Sequence, residues 1–223
     1  FNEAGRAFGL FVGMQLDLAK YANDERAQKF VDLLTPISKA FLSDKGFEGA
    51  VMAQQIFGGH GYIKEWGVEQ IVRDARIAQI YEGTNGVQAF DLVARKVVRD
   101  GGQAMRLFVD YMSDSECDPN YQAALEENFA RLIKVTESVV QRSKTDPDLA
   151  GAVSADYLEL SGLVCYGWLW ARMSLLAPND EFGNAKKETA RFFFNRVFPK
   201  TLSLEQSISC DSDVLMDFAG ASF

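Results

Sequence analysis

One carboxylate, that of Glu82, stands in a predicted loop between an apolar run and a glycine. Residues 77–81 (IAQIY) precede it and Gly83 follows it. The apolar approach predicts a buried side chain, and burial raises the pKa of a carboxyl group toward neutrality, where a general base is effective. Gly83 lacks a side chain, so a ligand can approach the backbone closely. The alternative is that Glu82 is an ordinary exposed loop residue.

A run of glycines gives a second candidate site, in residues 55–61 (QIFGGHG). The glycines predict the end of a helix and a turn. At a helix C-terminus the dipole repels anions, so close backbone approach at Gly58 and Gly59 is the better reason for a ligand to bind there. The alternative is a simple helix stop, with Gln54 and Gln55 facing solvent.

Another helix is predicted over residues 86–99, shortly after Gly83. Asn85 with Gln88 three residues later resembles a capping box, with Asn85 as the cap. The free N–H groups at this helix start suit a phosphate or a ribose beside Thr84 and Asn85.

The other polar residues of this stretch favour structural roles. His60 is the only histidine of the chain, and between glycines it is typical of a loop or packing residue. Arg73, Asp74 and Arg76 predict a charge cluster that steadies the loop before Glu82.

Composition excludes several classes of function. The 223 residues carry a net charge of −8 and show no basic face, which argues against nucleic acid as a partner. Three cysteines at wide spacing and one histidine cannot supply a zinc or iron–sulfur site or a paired disulfide framework. The sequence therefore indicates a protein from a reducing compartment, without a metal centre.

A 3.6-residue apolar period runs through almost every segment and predicts an all-α fold. The first helix has two apolar stripes, which predict burial on more than one side; they are Leu10, Met14, Leu18 and Tyr21, and Phe1, Ala4, Phe8 and Phe11. Pro36 predicts a break or kink between a helix over residues 24–35 and a further helical segment ending near Phe57. A short helix is expected over residues 68–75.

Gly101-Gly102 is the strongest candidate for a boundary, so we predict two helical domains, residues 1–100 and 101–223. In the second, Asp118, Asp146 and Ser154 stand where helix caps are expected. A helix is predicted over residues 188–198, ended by Pro199. Residues 160–177 are apolar enough for a membrane span, but Arg172 and the absence of basic flanks favour a buried bundle helix.

Two linked segments carry a resemblance to a known family. Residues 55–62 (QIFGGHGY) and 73–84 (RDARIAQIYEGT), followed by Gln88 on the next helix, resemble the C-terminal helical domain of the flavin-dependent acyl-CoA dehydrogenases. The segment Lys39-Ala40-Phe41 also lies at the distance upstream of Gln55 that is expected in this family. The resemblance covers roughly residues 1–99 and implies an up-and-down helical bundle, with a second helical domain after it.

In that family the residue matching Glu82 removes the α proton of an acyl-CoA thioester, while the β hydrogen leaves as hydride to N5 of FAD, giving the trans-2-enoyl-CoA. The resemblance implies that the backbone N–H of Glu82 and a flavin ribityl hydroxyl hold the thioester oxygen, with Gly83 beside the substrate. It places Thr84 and Asn85 beside the FAD. It also implies that Gln55, Gly58 and Gly59 contact the diphosphate–adenosine part of FAD across a subunit interface.

Residues 162–172 and 190–199 resemble the extra helical domain of a long subgroup of this family, which includes methylthiopropionyl-CoA dehydrogenase-like enzymes. The resemblance implies electron-transfer flavoprotein as electron acceptor, a homo-oligomer (dimer or tetramer), and a cytoplasmic location, or the mitochondrial matrix in a eukaryote. Because the chain opens at Phe1 within a predicted helix, we expect a fragment of a longer protein. The resemblance implies that N-terminal helical and β domains supply most of the flavin-ring and CoA contacts, so we expect this chain to be inactive alone. The alternatives are an acyl-CoA oxidase-like flavoenzyme and a non-catalytic helical oligomerisation module.

Overall fold

The computed structural model describes residues 1–217 of the chain. Within these residues the regular elements are helices and no strand occurs, which confirms the predicted all-α class. The chain divides into two compact units, Phe1–Ala89 and Phe90–Phe223. The boundary predicted at Gly101-Gly102 lies further along the chain, after the helix that Asn85 begins.

The first unit is built on two long helices joined by a short connection. In chain order it contains α1 (Asn2–Tyr21), α2 (Glu25–Ile56), α3 (Gly59–Tyr62), a 3₁₀ turn (Lys64–Trp66), α4 (Val68–Ile77) and the start of α5 (Asn85–Phe90). Asp24 caps α2, because its Oδ1 accepts hydrogen bonds from the backbone N–H groups of Arg26 (2.9 Å) and Ala27 (3.0 Å). The predicted short helix near Val68 is confirmed as α4.

Burial along α1 is one-sided. The stripe that contains Phe8 and Phe11 is buried, and α1 packs against α2. The other predicted stripe is exposed, with Leu10 at 75% and Tyr21 at 73% of their full accessible surface. The prediction that α1 is buried on more than one side is therefore wrong for this chain, since α2 covers only one face of it.

Pro36 does not divide α2. A single helix runs from Glu25 to Ile56 with Pro36 inside it, so the predicted break is wrong. A proline within a helix costs about 3 kcal/mol. Pro36 and its neighbours Leu33, Leu34 and Ile37 are buried, and each buried aliphatic side chain contributes about 1.5–3 kcal/mol, so packing offsets the cost.

The second unit is organised around one long apolar helix. Its helices and helical turns are a π-helical segment (Asp91–Val98), α6 (Gln103–Ser113), a 3₁₀ turn (Pro119–Tyr121), α7 (Gln122–Arg142), α8 (Leu149–Leu175), α9 (Glu181–Phe192), a π-helical segment (Phe193–Val197), α10 (Lys200–Ile208) and α11 (Asp213–Met216). Helix α8 packs against α7, α9, α10 and the first π-helical segment. It is buried nearly all round, as expected of a helix that is apolar on every side.

The large aromatic residues Tyr157, Tyr166, Trp168 and Trp170 on α8 are fully buried. Among residues 1–217, no helix combines the length and the hydropathy that a membrane span requires. Residues 160–171 are buried within the second unit, in agreement with the interpretation of this stretch as a buried bundle helix. Gly167 lets the ring of Phe198 approach α8, because a Cβ atom there would lie 2.6 Å from Phe198 Cζ.

The structure confirms two of the helix caps predicted in the second unit and corrects the other predicted helix starts. Asp118 and Asp146 accept hydrogen bonds from backbone N–H groups just after them, as predicted for caps. Ser154 lies inside α8 and donates to the Gly151 carbonyl (3.0 Å), so its predicted cap is wrong. Helix α9 begins at Glu181, well before the predicted start at 188, because the Asp180 side chain accepts a hydrogen bond from Gly183 N (2.8 Å).

Candidate functional site

Glu82 lies in a tight loop between the end of α4 and the start of α5. The loop follows a turn in which the N–H groups of Ile80 and Tyr81 donate to the Ile77 carbonyl (2.9 and 3.1 Å). Glu82 has φ +54° and Gly83 has φ +78°, so two consecutive residues are left-handed. This conformation is uncommon for a residue other than glycine. It reverses the chain and brings Asn85 N to the Gln79 carbonyl (3.1 Å).

The Glu82 side chain is exposed in this chain. Its apolar neighbours Ile80 and Tyr81 are also about half exposed, at 47% and 50%. The prediction that residues 77–81 enclose the carboxylate is wrong for the chain by itself, because the tight loop directs these side chains outward instead of folding them over Glu82. The carboxylate is accordingly accessible to a ligand.

Gly83 has a structural reason to be glycine. A Cβ atom there would lie 2.8 Å from Gln88 Nε2, which donates a hydrogen bond to the Glu82 carbonyl (3.3 Å). The space beside Gly83 that the sequence suggested for a ligand is partly filled by the Gln88 amide. Gly83 thus allows both the left-handed backbone and a hydrogen bond that holds it.

The predicted cap at Asn85 is wrong. Asn85 is the first residue of α5, and the cap is Thr84, whose Oγ1 accepts from Val87 N (3.4 Å) and whose carbonyl accepts from Gln88 N (3.0 Å). The Asn85 side chain turns to α2, where its Oδ1 accepts from Lys39 Nζ (2.7 Å) and its Nδ2 donates to Asp44 Oδ1 (2.6 Å). Hydrogen bonds to charged groups are stronger than one to a backbone N–H, which explains the preference.

The same Asp44 carboxylate oxygen accepts a second hydrogen bond, from Gln79 Nε2 (2.6 Å). Ser43 Oγ and the Ala40 carbonyl complete the set of partners around the Asn85 amide. The sequence interpretation missed Asp44 and Gln79. The signal that could have found them is the polar run Ser43-Asp44-Lys45 within an otherwise largely apolar helix.

The glycine turn lies at the far end of α2. The helix ends at Ile56, Gly58 has φ +58°, and no atom lies within 4 Å of where a Cβ would stand on Gly58 or Gly59. Gln55 is exposed. The backbone at Gly58 and Gly59 and the side chain of Gln55 are therefore open to a ligand. A short helix, α3, follows the turn, so the chain does not pass directly into a loop.

An open groove of about 500 Å³ adjoins this turn. Its lining residues are Gln54, Tyr62, Lys64, Glu69, Val72 and Arg73. Arg73 Nε forms an ion pair with Glu69 (2.7 Å), and Gln54 Nε2 donates to the Gly61 carbonyl (3.2 Å). The groove combines an aromatic side chain with polar and charged groups, which suits part of a nucleotide-like ligand.

The structure does not bring the two candidate segments into one small pocket. Loop 79–85 is attached to α2 at Asp44, and α2 ends at the glycine turn twelve residues later, about 18 Å along the helix at about 1.5 Å per residue. Either one elongated ligand or two separate ligand molecules would be needed to occupy both.

The remaining polar candidates have local partners. The His60 ring packs edge-on against Trp66, with centroids 4.9 Å apart, as expected for a packing residue. The predicted charge cluster is not formed as such: Arg73 pairs with Glu69, Asp74 accepts from Gln70 Nε2 (2.8 Å), and Arg76 donates to Gln79 Oε1 (2.9 Å). Residues 1–217 contain no group of His, Cys, Asp or Glu side chains suited to a metal ion.

Both parts of the chain match models of known protein families. Residues 13–98 match the family model "Acyl-CoA dehydrogenase, C-terminal domain", and residues 103–219 match "Acetyl-CoA dehydrogenase C-terminal like". The chain is 33% identical over 96% of its length to 3-methylmercaptopropionyl-CoA dehydrogenase of Ruegeria pomeroyi, covering 40% of that protein.

Two further relatives are each 27% identical over 88% of the chain and are covered over 36% of their own length: a butyryl-CoA dehydrogenase of Syntrophomonas wolfei and a broad-specificity linear acyl-CoA dehydrogenase of Mycobacterium tuberculosis. The chain thus spans about two fifths of the length of these relatives. The extended match to long relatives agrees with the long subgroup indicated by the sequence. The chain belongs to the acyl-CoA dehydrogenase family.

Proposed function

We propose that this chain is the C-terminal helical part of an FAD-dependent acyl-CoA dehydrogenase that converts an acyl-CoA thioester to the trans-2-enoyl-CoA, with Glu82 as the base. The observation that carries the proposal is the geometry of loop 79–85. An exposed carboxylate stands on a left-handed backbone that is hydrogen-bonded at both ends of the loop. A general base needs such a defined position to act on one particular proton.

Glu82 takes the proton from the α carbon of the acyl group. The C–H electron pair then forms the double bond as the β hydrogen leaves with its own electron pair. Within residues 1–217 the backbone N–H of Glu82 makes no hydrogen bond, so it is available to the thioester oxygen as negative charge develops there. One donor of this kind contributes a few kcal/mol to the stability of the transition state. FAD, when bound, would supply the acceptor for this hydride.

The residues proposed to contact FAD are Gln55, Gly58, Gly59 and Thr84. The first three lie at the open turn at the end of α2, and Thr84 is exposed beside Glu82. Asn85 is left out of this set because Lys39, Ser43 and Asp44 already occupy the polar atoms of its side chain. The distance between turn and loop along α2 supports contacts with two FAD molecules, one of them bound in a neighbouring subunit.

The proposal extends to the partners and the location of the protein. The substrate is an acyl-CoA, electron-transfer flavoprotein is the acceptor, and the assembly is a homo-oligomer in the cytoplasm, or in the mitochondrial matrix of a eukaryote. Exposed apolar side chains such as Leu10, Ile56 and Phe57 in the first unit support further protein contacts. The second unit is proposed to serve packing and assembly.

The test is anaerobic bleaching of the visible flavin absorbance of the full-length protein by a panel of acyl-CoAs. We expect one acyl class to bleach it, and we expect Glu82→Gln to retain FAD while slowing the bleaching at least about 100-fold. Glu65→Gln, at another exposed position of the same unit, is the matched control.

Three outcomes would contradict the proposal. A full-length protein without FAD would favour a non-catalytic helical module. Bleaching that is unchanged in Glu82→Gln would remove Glu82 as the base. Rapid reoxidation by O₂ with release of hydrogen peroxide would favour an oxidase.

A further inference from the structure

We propose that Asp44 is a positioning residue for Glu82: its carboxylate ties both ends of loop 79–85 to α2 and thereby holds Glu82 in its left-handed conformation. This rests on the proposed function of Glu82 as the base. Asp44 lies on α2 and accepts hydrogen bonds from Gln79 and Asn85, the two ends of the loop, so its effect on Glu82 is exerted through the loop.

The geometry is a ring closed by one oxygen atom. Asp44 Oδ1 accepts from Gln79 Nε2 and from Asn85 Nδ2, each at 2.6 Å. The backbones of the same two residues are also hydrogen-bonded to each other, because Asn85 N donates to the Gln79 carbonyl (3.1 Å). The intervening residues 80–84 are therefore fixed at their base on both sides, and Glu82 is the middle one of the five.

Two cations orient the two amides toward Asp44. Lys39 Nζ donates to Asn85 Oδ1 (2.7 Å), and Arg76 NH1 donates to Gln79 Oε1 (2.9 Å). With each amide oxygen occupied by a cation, each NH₂ group is left to face the carboxylate. Hydrogen bonds in which one partner is ionised are about twice as strong as neutral ones, so the arrangement is a rigid one.

The backbone at Glu82 explains why such support is required. A residue other than glycine is strained in the left-handed region and persists there where the surrounding structure determines it. The Gln88 Nε2 bond to the Glu82 carbonyl, at 3.3 Å, is longer than either bond to Asp44 and is exposed to solvent. The two short bonds to Asp44 are the stronger restraint on the loop.

The experiment uses the full-length flavin-loaded protein with Asp44→Ala, Asp44→Asn and a matched control, Asp32→Ala. Asp32 is an exposed residue of α2 that accepts a hydrogen bond from Gln28 on its own helix (3.0 Å). The measurements are the limiting rate and half-saturating substrate concentration of anaerobic flavin reduction, the FAD content, and hydrogen exchange of the hydrogen-bonded amides of Ile80, Tyr81 and Asn85.

We expect Asp44→Ala to lower the limiting rate of flavin reduction by about 10- to 100-fold, since misplacement of a reacting group by about 1 Å costs up to about 100-fold. The half-saturating concentration and FAD content should stay near those of the wild type. Exchange of the Ile80, Tyr81 and Asn85 amides should become faster. Asp44→Asn retains an oxygen that can accept both bonds and should recover most of the rate, and Asp32→Ala should match the wild type.

If Asp44→Ala does not yield folded protein, Gln79→Met removes one of the two bonds at nearly constant volume and should show the same changes to a smaller extent. Unchanged rate and exchange in these variants would overturn the proposal, as would faster exchange with an unchanged rate, or an equal loss in Asp32→Ala. Failure of the proposed function is seen separately, as flavin reduction that does not depend on Glu82.

Discussion

The polar groups around Asp44 in the first unit lie beneath an exposed loop, whereas those along α8 in the second unit are enclosed by apolar side chains. In the first, Gln79 and Asn85 meet one carboxylate and leave Glu82 facing solvent. In the second, the hydroxyl oxygens of Thr136 and Tyr157 lie 2.6 Å apart in the core.

Other polar groups of the second unit are also paired internally. Asp118 accepts from Ser174 Oγ (2.6 Å), and Arg131, 7% exposed in its side chain, pairs with Glu205 (2.8 Å) and Glu127 (2.7 Å). The Asp118–Ser174 and Arg131–Glu205 contacts link segments that are far apart in the chain, and all of these contacts give buried polar atoms a partner. This difference predicts that substitutions beneath the loop change the rate of flavin reduction more than the free energy of unfolding. Substitutions along α8 should have the opposite balance.

The sharpest test of the second half of this comparison is the packing at Gly167. We expect Gly167→Ala to lower the free energy of unfolding by about 1–3 kcal/mol, because its methyl group would overlap the Phe198 ring. The urea midpoint of the full-length protein measures this. Flavin reduction by acyl-CoA at a temperature where the variant is folded should equal that of the wild type.

Gly151 provides the matched control on the same helix. No atom lies within 4 Å of a Cβ placed there, so Gly151→Ala should raise stability by about 0.5–1 kcal/mol through lower chain entropy in the unfolded state. A similar midpoint for the two variants would contradict the packing described at Phe198.

A smaller effect is expected from the buried hydroxyl pair. Tyr157→Phe removes the bond to Thr136 but leaves Thr136 Oγ1 donating to the Leu132 carbonyl (2.7 Å), so the loss should be about 0.5–1.5 kcal/mol. Urea unfolding measures it, with Tyr21→Phe at an exposed position as control. If Tyr157→Phe slowed flavin reduction as much as Asp44→Ala, the contrast between the two units would be lost.

The smallest expected effect is the pH dependence contributed by Asp118. Burial alone would raise the pKa of its carboxyl group, but hydrogen bonds from Ser174 and Asn120 outweigh this and hold the pKa below its ordinary value. Because the folded pKa is the lower one, Asp118 stabilises the fold above pH about 4, and this contribution is lost as the pH falls through the folded pKa.

The measurement compares the urea midpoint of wild type and Asp118→Asn between pH about 6 and 3. The wild type should lose more stability than the variant over that interval. Parallel curves would show that the Asp118 hydrogen bonds do not favour the charged form.

Local sequence predicted the existence of most helices but not their limits. The cap at Asp118 and helix α4 follow from neighbouring residues and are present as predicted. The predicted helix boundaries at Pro36 and Ser154 are wrong because a local conformational preference of about 3 kcal/mol or less is outweighed by burial along a long helix. The exposure of Leu10 depends on which helices are present to cover it, and periodicity alone contains no such information.

By itself the sequence determined the all-α class, the family and Glu82 as the candidate base, because helix periodicity and linked motifs are properties of residues close together in the chain. Only the tertiary structure decided that Asn85 turns to Lys39 and Asp44, that Thr84 caps α5, and that Glu82 is exposed. The Asn85 contacts join residues about forty positions apart, and how α2 packs against loop 79–85 decides which donors and acceptors meet. The Thr84 cap is local, but it follows from those contacts because they hold the Asn85 side chain away from the start of α5.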